Sequence, residues 1–250
     1  MFKMIYNIAR TELQMLFYSP VAWLILVVFG VQSGMLFADQ LAGLVSAQEM
    51  GYDIQGSTIS IFANRWGGVF TTMQNYLYFY IPLLTMSLVS KELSSGSIRL
   101  LYSSPITNTQ IIVGKFFSMM IYGLIMIGIL FLITLCSWAI VKDFELSMVL
   151  TGLLGLYLLI CAYAAIGIFM SSLTSYQIVA AIGTFAVLMV LSMIGGWWQD
   201  YDFIRDVTYW LSMPGRSGKF IAGLICSEDV LYFVIVVCLF LALTIIRLNS

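Results

Sequence analysis

The sequence predicts an all-α, polytopic membrane protein, and three observations carry that reading. Only 9% of its 250 residues are charged while 61% are hydrophobic, where a soluble domain is about one-quarter charged. Mean hydropathy is +1.00. Six apolar runs approach the ~20 residues that cross a bilayer as helix, at residues 21–37, 69–89, 116–141, 148–170, 178–194 and 230–246. The runs are long and continuous, which excludes the short alternating segments of a membrane β-barrel.

Residues 1–20 come before the first run. Phe2, Ile5, Ile8, Ala9, Leu13, Leu16 and Phe17 recur at helical spacing, with Lys3, Asn7, Arg10 and Gln14 toward the other face. This is an amphipathic helix suited to the membrane interface, ended or turned by Pro20. The first apolar run follows Lys3, Arg10 and Glu12 without a small-residue cleavage site, so it is expected to remain as a membrane helix. Residues 38–68 read as a polar, Gly-rich loop with Gln40, Gln48, Glu49, Asp53 and Gln55. Residues 142–147 and 171–177 read as short turns.

Before the sixth run, residues 195–229 are long and mixed. Trp197, Trp198, Tyr201, Tyr209 and Trp210 form an aromatic cluster suited to headgroup depth. Phe220, Ile221, Leu224 and Ile225 follow Pro214-Gly215 as an apolar stripe too short to span. The segment reads as a re-entrant or interfacial helix, with an ordinary external loop as the alternative. Glu228 and Asp229 sit at the start of the last run, where acids favour the positive end of a helix.

Six spans place both termini on one side. With the termini cytoplasmic, Lys3, Arg10, Lys91, Arg99, Lys115 and Arg247 lie inside, and Arg65, Lys142, Arg205, Arg216 and Lys219 outside. The inside residues crowd the span ends, in line with the positive-inside bias. Of the acids, only Glu12 and Glu92 fall inside.

Net charge is −1 and His is absent. Nucleic acid is therefore an unfavourable partner, and His metal ligands, His bases and Ser-His or Cys-His nucleophile pairs are excluded. Cys136, Cys161, Cys226 and Cys238 are widely spaced without a C-x-x-C, and Cys in an apolar run behaves as a small hydrophobe. No metal site and no cofactor are expected. An intramembrane protease would need His and carboxylate ligands or two membrane Asp residues, and neither set is in the spans. Secondary transporters place charge within their helices; here the spans carry only uncharged polar groups such as Gln32, Gln74 and Thr184. Gln32 lines a pathway or bonds a neighbouring helix, and Gly30 and Gly34 permit close helix approach.

The segment from Lys91 to Lys115 holds three of the eleven basic residues between two apolar runs. Leu93, Ile98, Leu100, Leu101 and Ile106 offer apolar area beside Lys91, Glu92 and Arg99. Pro105 breaks the first helix, and Thr107-Asn108-Thr109-Gln110 fits a capping box for a new one. On charge and capping alone this is either a solvated linker or a surface that receives energy from a partner. No phosphate-cradling loop is present. Gly215-Arg216-Ser217-Gly218-Lys219-Phe220 has two residues between its glycines where four are needed, and Phe220 cannot hold Mg²⁺. ATP must be handled by another polypeptide, so the chain is not itself expected to be an enzyme.

The run Lys91-Glu92-Leu93-x-x-Gly96-Ser97-x-x-Leu100-Leu101-x-Ser103-x-Pro105-Ile106, followed by Ile112-Val113-Gly114-Lys115, resembles the signature of type-2 ABC transporter permeases. Ala162-Tyr163-Ala164-Ala165-Ile166-Gly167 through Thr174, with Gln177-Ile178-Val179-Ala180, looks like the fourth and fifth helices of that family. Phe220 to Ile225 and Asp229 to Phe233 look like its last re-entrant piece and span. The sequence is also similar to the gliding-motility-associated permeases, which in turn resemble the copper-processing permeases of denitrifiers.

The resemblance covers about residues 10–248 and implies one membrane domain over residues 1–250. Its parts are an elbow helix at 1–20, six spans, a coupling helix at 91–106 and a re-entrant segment within 197–229. It implies the permease subunit of an ABC exporter in the bacterial cytoplasmic (inner) membrane, both termini cytoplasmic. The implied partners are a cytoplasmic ATPase dimer, a second permease copy or paralogue, and in the gliding subgroup an auxiliary subunit. The residues falling in the coupling region are Lys91, Glu92, Gly96, Arg99, Leu100 and Pro105. The alternative is a non-transporting anchor or assembly platform for a cell-envelope machine built on the same fold.

Overall fold

The structure is a computed structural model and describes residues 2–51, 57–64, 67–96, 107–141, 144–194 and 212–249. Every described element is a helix or a turn. The helices are α1 (Phe2–Tyr18), α2 (Pro20–Glu49), α3 (Ser57–Phe62), α4 (Val69–Thr85), α5 (Ser90–Ser95), α6 (Asn108–Ile140), α7 (Leu146–Leu173), α8 (Gln177–Met193), α9 (Met213–Ile221) and α10 (Ser227–Asn249). Each expected apolar run lies wholly or mostly in a helix. Four of these, α2, α6, α7 and α10, are long and apolar enough to cross a membrane. The other two, α4 and α8, have 17 residues each, the lower end of what a crossing requires. The chain is a multi-pass membrane protein.

Local chemistry sets the boundaries. In α1 the residues at 5, 8, 9, 12, 13, 16 and 17 turn inward while Lys3, Asn7, Arg10 and Gln14 stay exposed, the period of an amphipathic helix. Pro20 opens α2 with Ser19 as its extended cap, a place where proline's missing N–H costs nothing. The polar loop expected at 38–68 is corrected: α2 runs on to Glu49 and α3 follows. Ala38, Gln40, Leu41, Ala42, Leu44, Ala47, Gln48 and Glu49 are good helix formers, so polarity there marks a solvated helix. The helix stops at Gly51, whose φ is +81°. Span two is shorter than expected, ending at Thr85 just after its internal Pro82. The turn expected at 171–177 shrinks to three residues, because Ser171 and Ser172 still belong to α7.

The expected capping box is present. Thr107 Oγ1 accepts from Gln110 N, and Thr107 N donates to Gln110 Oε1. Before the last span, α9 begins at Ser212, with Pro214 inside its first turn. Its buried residues are Met213, Arg216, Ser217, Phe220 and Ile221, and it ends before Leu224 and Ile225, which are exposed. The stripe expected from Phe220 to Ile225 is thereby corrected. The aromatic cluster from Trp197 to Trp210 lies outside the described residues.

The helix α7 is the axis of the fold. Its most apolar stretch is 72% buried, against 28%, 33% and 22% for those of α2, α6 and α10. It packs against α4, α5, α6, α8, α9 and α10. Small residues let the neighbours close in. A Cβ on Gly155 would lie 2.4 Å from Phe220 Cβ, one on Gly152 2.8 Å from Phe70 Cδ2, and one on Gly167 2.2 Å from Thr85 Oγ1.

Cross-links between helices define two ends of the bundle. At the first end, Tyr122 Oη donates to Ala22 O, Asn108 Nδ2 to Leu248 O, and Ser171 Oγ to Met86 O. This gathers the starts of α2 and α6 with the ends of α4, α7 and α10. At the second end, Gln74 Nε2 donates to Pro214 O and Glu145 N to Thr58 Oγ1.

The glycine contacts generate a test. Gly155→Ala should destabilise the protein by roughly 1–3 kcal/mol, the cost of overpacking, because Phe220 must move. Gly34→Ala, at a site with nothing within 4 Å, should be neutral or up to ~1 kcal/mol stabilising. Thermal unfolding of the two variants in detergent measures both.

Candidate functional site

The first end of the bundle carries a buried ionic cluster. Lys115, in the third turn of α6, is 1% exposed. Its Nζ lies 2.6 Å from Glu12 Oε1 on α1 and 2.7 Å from Glu92 Oε1 on α5. Gly114 makes this possible: a Cβ there would come 2.7 Å from Ile8 Cγ2, so only glycine lets α1 lie so close on α6. One cation therefore holds two carboxylates and pins three helices together.

The cluster has a neutral counterpart beside it. Ser171 Oγ, near the end of α7, accepts from Val89 N and Ser90 N at 3.1 and 3.0 Å and donates to Met86 O at 3.0 Å. The first N–H groups of a helix lack intrahelical partners; here the hydroxyl of another helix supplies one for α5. Ser90 Oγ donates to Met86 O as well. The start of α5 is thus fixed to α7 by Ser171 and to α1 and α6 through Glu92. A cleft of about 500 Å³ opens at this corner. Glu12, Lys91, Glu92 and Lys115 line one part of it, and Met15, Val21, Leu83 and Leu84 line another.

Of the expected coupling residues, Lys91, Glu92 and Gly96 fall together. Lys91 is exposed at the cleft, Glu92 faces Lys115, and Gly96 ends α5 at φ +69°, a left-handed position that favours glycine. Arg99, Leu100 and Pro105 lie outside the described residues. Elsewhere, Gln32 Oε1 accepts from Tyr80 Oη of α4, and Gln32 also borders a groove on the outer side of α2. A Cβ on Gly30 would lie 3.7 Å from Ile129 Cγ2 of α6, whereas one on Gly34 would meet nothing within 4 Å.

Sequence reasoning missed Glu12 and Ser171 as site residues, and took Lys115 only as part of a Gly-Lys pair. Glu12 had a signal: it interrupts the apolar face of α1 between Ala9 and Leu16. A carboxylate in a buried stripe requires a cation, and Lys115 is the basic residue set at the start of an apolar run. Ser171 had none, since its role depends on where α4 ends.

The second end holds another ionic group. Arg216 Nη1 lies 2.5 Å from Asp229 Oδ1, and Lys219 Nζ 3.5 Å from Asp229 Oδ2. The Arg216 guanidinium sits 4.4 Å over the Tyr232 ring, a cation–π contact. These tie α9 to α10 and place the would-be phosphate motif at 215–220 within a helix. Among the described residues no three His, Cys, Asp or Glu side chains converge as metal ligands.

Two tests follow from the Lys115 cluster. Lys115→Met leaves two carboxylates without their cation and should cost roughly 3–5 kcal/mol. Adding Glu12→Gln and Glu92→Gln should restore most of that loss in the same unfolding measurement. The second concerns pH. Burial raises the Glu92 pKa, the attraction of Lys115 opposes this, and repulsion from Glu12 adds to it. The folded state therefore holds the Glu92 proton more tightly than the unfolded chain. That contribution to stability is full below the ordinary glutamate value of 4.5 and is lost as pH rises through the raised value. Wild type should lose Tm relative to Glu92→Gln over that rise; parallel curves would contradict the burial of this carboxylate.

Comparison with known proteins bears on the whole corner. No curated protein matches the chain. Residues 6–199 match the family described as ABC-2 family transporter protein. The match takes in most of α1 and all of α2 to α8, with Glu12, Glu92, Lys115 and Ser171, and leaves α9 and α10 outside. Covering well over half of the chain, it shows that this multi-pass protein belongs to the ABC-2 transporter family and is a permease component of an ABC transporter.

Proposed function

We propose that the chain is the membrane subunit of an ATP-driven exporter, worked by a separate cytoplasmic ATPase dimer that grips the segment from Lys91 to Pro105. The observation that carries this reading is Lys115. Through it, a short helix between the second and third apolar runs is locked to α1 and α6 by charge. A displacement of α5 then moves those helices as one body, because breaking either contact strands a buried charge. Glu92 and Ser171 transmit the motion inward, Gly96 ends the rigid piece, and Lys91 stays exposed for the partner.

In this reading α2, α4, α6, α7, α8 and α10 are six crossings. The first end of the bundle, with both termini, faces the cytoplasm of a bacterial inner membrane. The alternation of helix starts and ends at that face supports the crossing order. Lys3, Arg10, Lys91, Arg99, Lys115 and Arg247 near span ends support the orientation. α1 is the elbow and α9 the re-entrant piece. A second permease copy or paralogue completes the transporter, with an auxiliary subunit if the likeness to the gliding-motility-associated group extends that far.

The test is assembly and ATP hydrolysis. The chain, expressed with a candidate ABC ATPase subunit from the same genome, should co-purify as a complex that hydrolyses ATP. Arg99→Glu should cut retention of the ATPase about tenfold, the ~1.4 kcal/mol of one lost contact. Glu92→Gln should leave assembly intact and slow hydrolysis. Full retention with Arg99→Glu and unchanged turnover with Glu92→Gln would defeat the coupling role.

A further inference from the structure

The cleft at the first end has the chemistry of a lipid headgroup site, and we infer that it binds the headgroup of an aminophospholipid, with ethanolamine as the amine. Its size, about 500 Å³, falls among small-ligand clefts. Its lining is segregated. Val21, Leu83 and Leu84 supply an apolar wall from the start of α2 and the end of α4, and Glu12, Lys91 and Glu92 supply a charged mouth. A molecule with an acyl stem and a polar head matches that division.

Charge fixes the head. Lys115 bonds only Oε1 of each carboxylate, so among the described residues Oε2 of Glu12 and of Glu92 has no bonded partner. One cation between two anions leaves the group one negative charge in excess. Lys91 stands nearby, exposed, and makes no ion pair among the described residues. A negative pocket beside a free ammonium is the complement of a zwitterion. Lys91 takes the phosphate, and the carboxylates take the amine. A primary ammonium donates hydrogen bonds to carboxylate oxygens, which a quaternary choline cannot do.

Two exposed aromatic residues put the cleft at the right depth. Tyr18 is 87% exposed and Trp23 is 56% exposed, flanking the α1–α2 junction. Both are residue types that favour the headgroup layer. Trp23 Nε1 donates to Phe17 O, which holds the ring at that corner. The inference depends on the chain spanning a membrane; it shares Lys91 and Glu92 with the coupling reading, and its test is read without an ATPase.

The experiment uses the full chain, without an ATPase, in phosphatidylcholine nanodiscs carrying a phosphatidylethanolamine probe with a diazirine high on one acyl chain. Crosslinks should concentrate on peptides containing Met15, Val21 and Leu83 over those of the outward side of α8, which reports bulk lipid. Replacing part of the phosphatidylcholine with unlabelled phosphatidylethanolamine should displace the probe about tenfold better than replacing the same share with phosphatidylglycerol. Lys91→Glu should abolish that preference and Lys91→Arg should keep it, both variants being checked for wild-type elution and helicity. Crosslinks spread evenly over α8 and the cleft, equal competition by phosphatidylglycerol, or an unchanged pattern in Lys91→Glu would each overturn the assignment. Because no ATP hydrolysis is read, failure here leaves the coupling role untouched, and the reverse holds too.

Discussion

The first end of the bundle depends on the ionic bond that Lys115 makes to two carboxylates at once. Desolvating an ammonium costs several kcal/mol, and only close anions can offset it. Glu12 and Glu92 do so from different helices. The position of α1 and the position of α5 are therefore not independent variables. Gly114 sets how near α1 can come, and Ser171 sets where α5 begins. The geometry at this corner is over-determined: a charge, a missing side chain and a hydroxyl each specify the same arrangement.

The rest of the bundle is organised differently. Around α7 the contacts are apolar and close, and specificity comes from shape. Gly152, Gly155 and Gly167 are recesses for Phe70, Phe220 and Thr85. In a membrane, where lipid tails are as apolar as leucine, such close packing is what distinguishes a neighbouring helix from solvent. Among the described residues, ionic bonds appear only at the two ends, Lys115 at one and Arg216–Asp229 at the other. That division matches the solvent: charge is tolerated toward the polar layers and expensive between them.

The fold was legible where hydrophobicity speaks for itself. Six apolar runs gave six helices, the period of α1 gave its buried side, and Thr107 and Gln110 gave the start of α6. Legibility failed where polarity was taken for irregularity. Residues 38–49 are polar yet helical, because Ala, Leu, Gln and Glu favour helix whether or not they are buried. The site was half legible. Lys91, Glu92 and Gly96 stood out by local pattern, but the partner of Glu92 lies 23 residues away and that of Glu12 lies 103 away. Pairings at such separation leave no periodic trace. Ser171 was invisible for the same reason.

The junction between α1 and α2 is a single residue, Ser19, stiffened by Pro20 on its far side and by Ser19 N bonding back to Leu16 O at 3.0 Å. No slack separates the two helices. At 1.5 Å per residue the 30 residues of α2 make a rod of about 45 Å, longer than the ~30 Å hydrocarbon layer. A tilt of about 10° passed from α1 through this stiff junction would carry the distant tip near Glu49 sideways by about 8 Å. Under the coupling reading the long helix would act as a lever, turning a small adjustment beside Lys115 into a wide sweep at its far end.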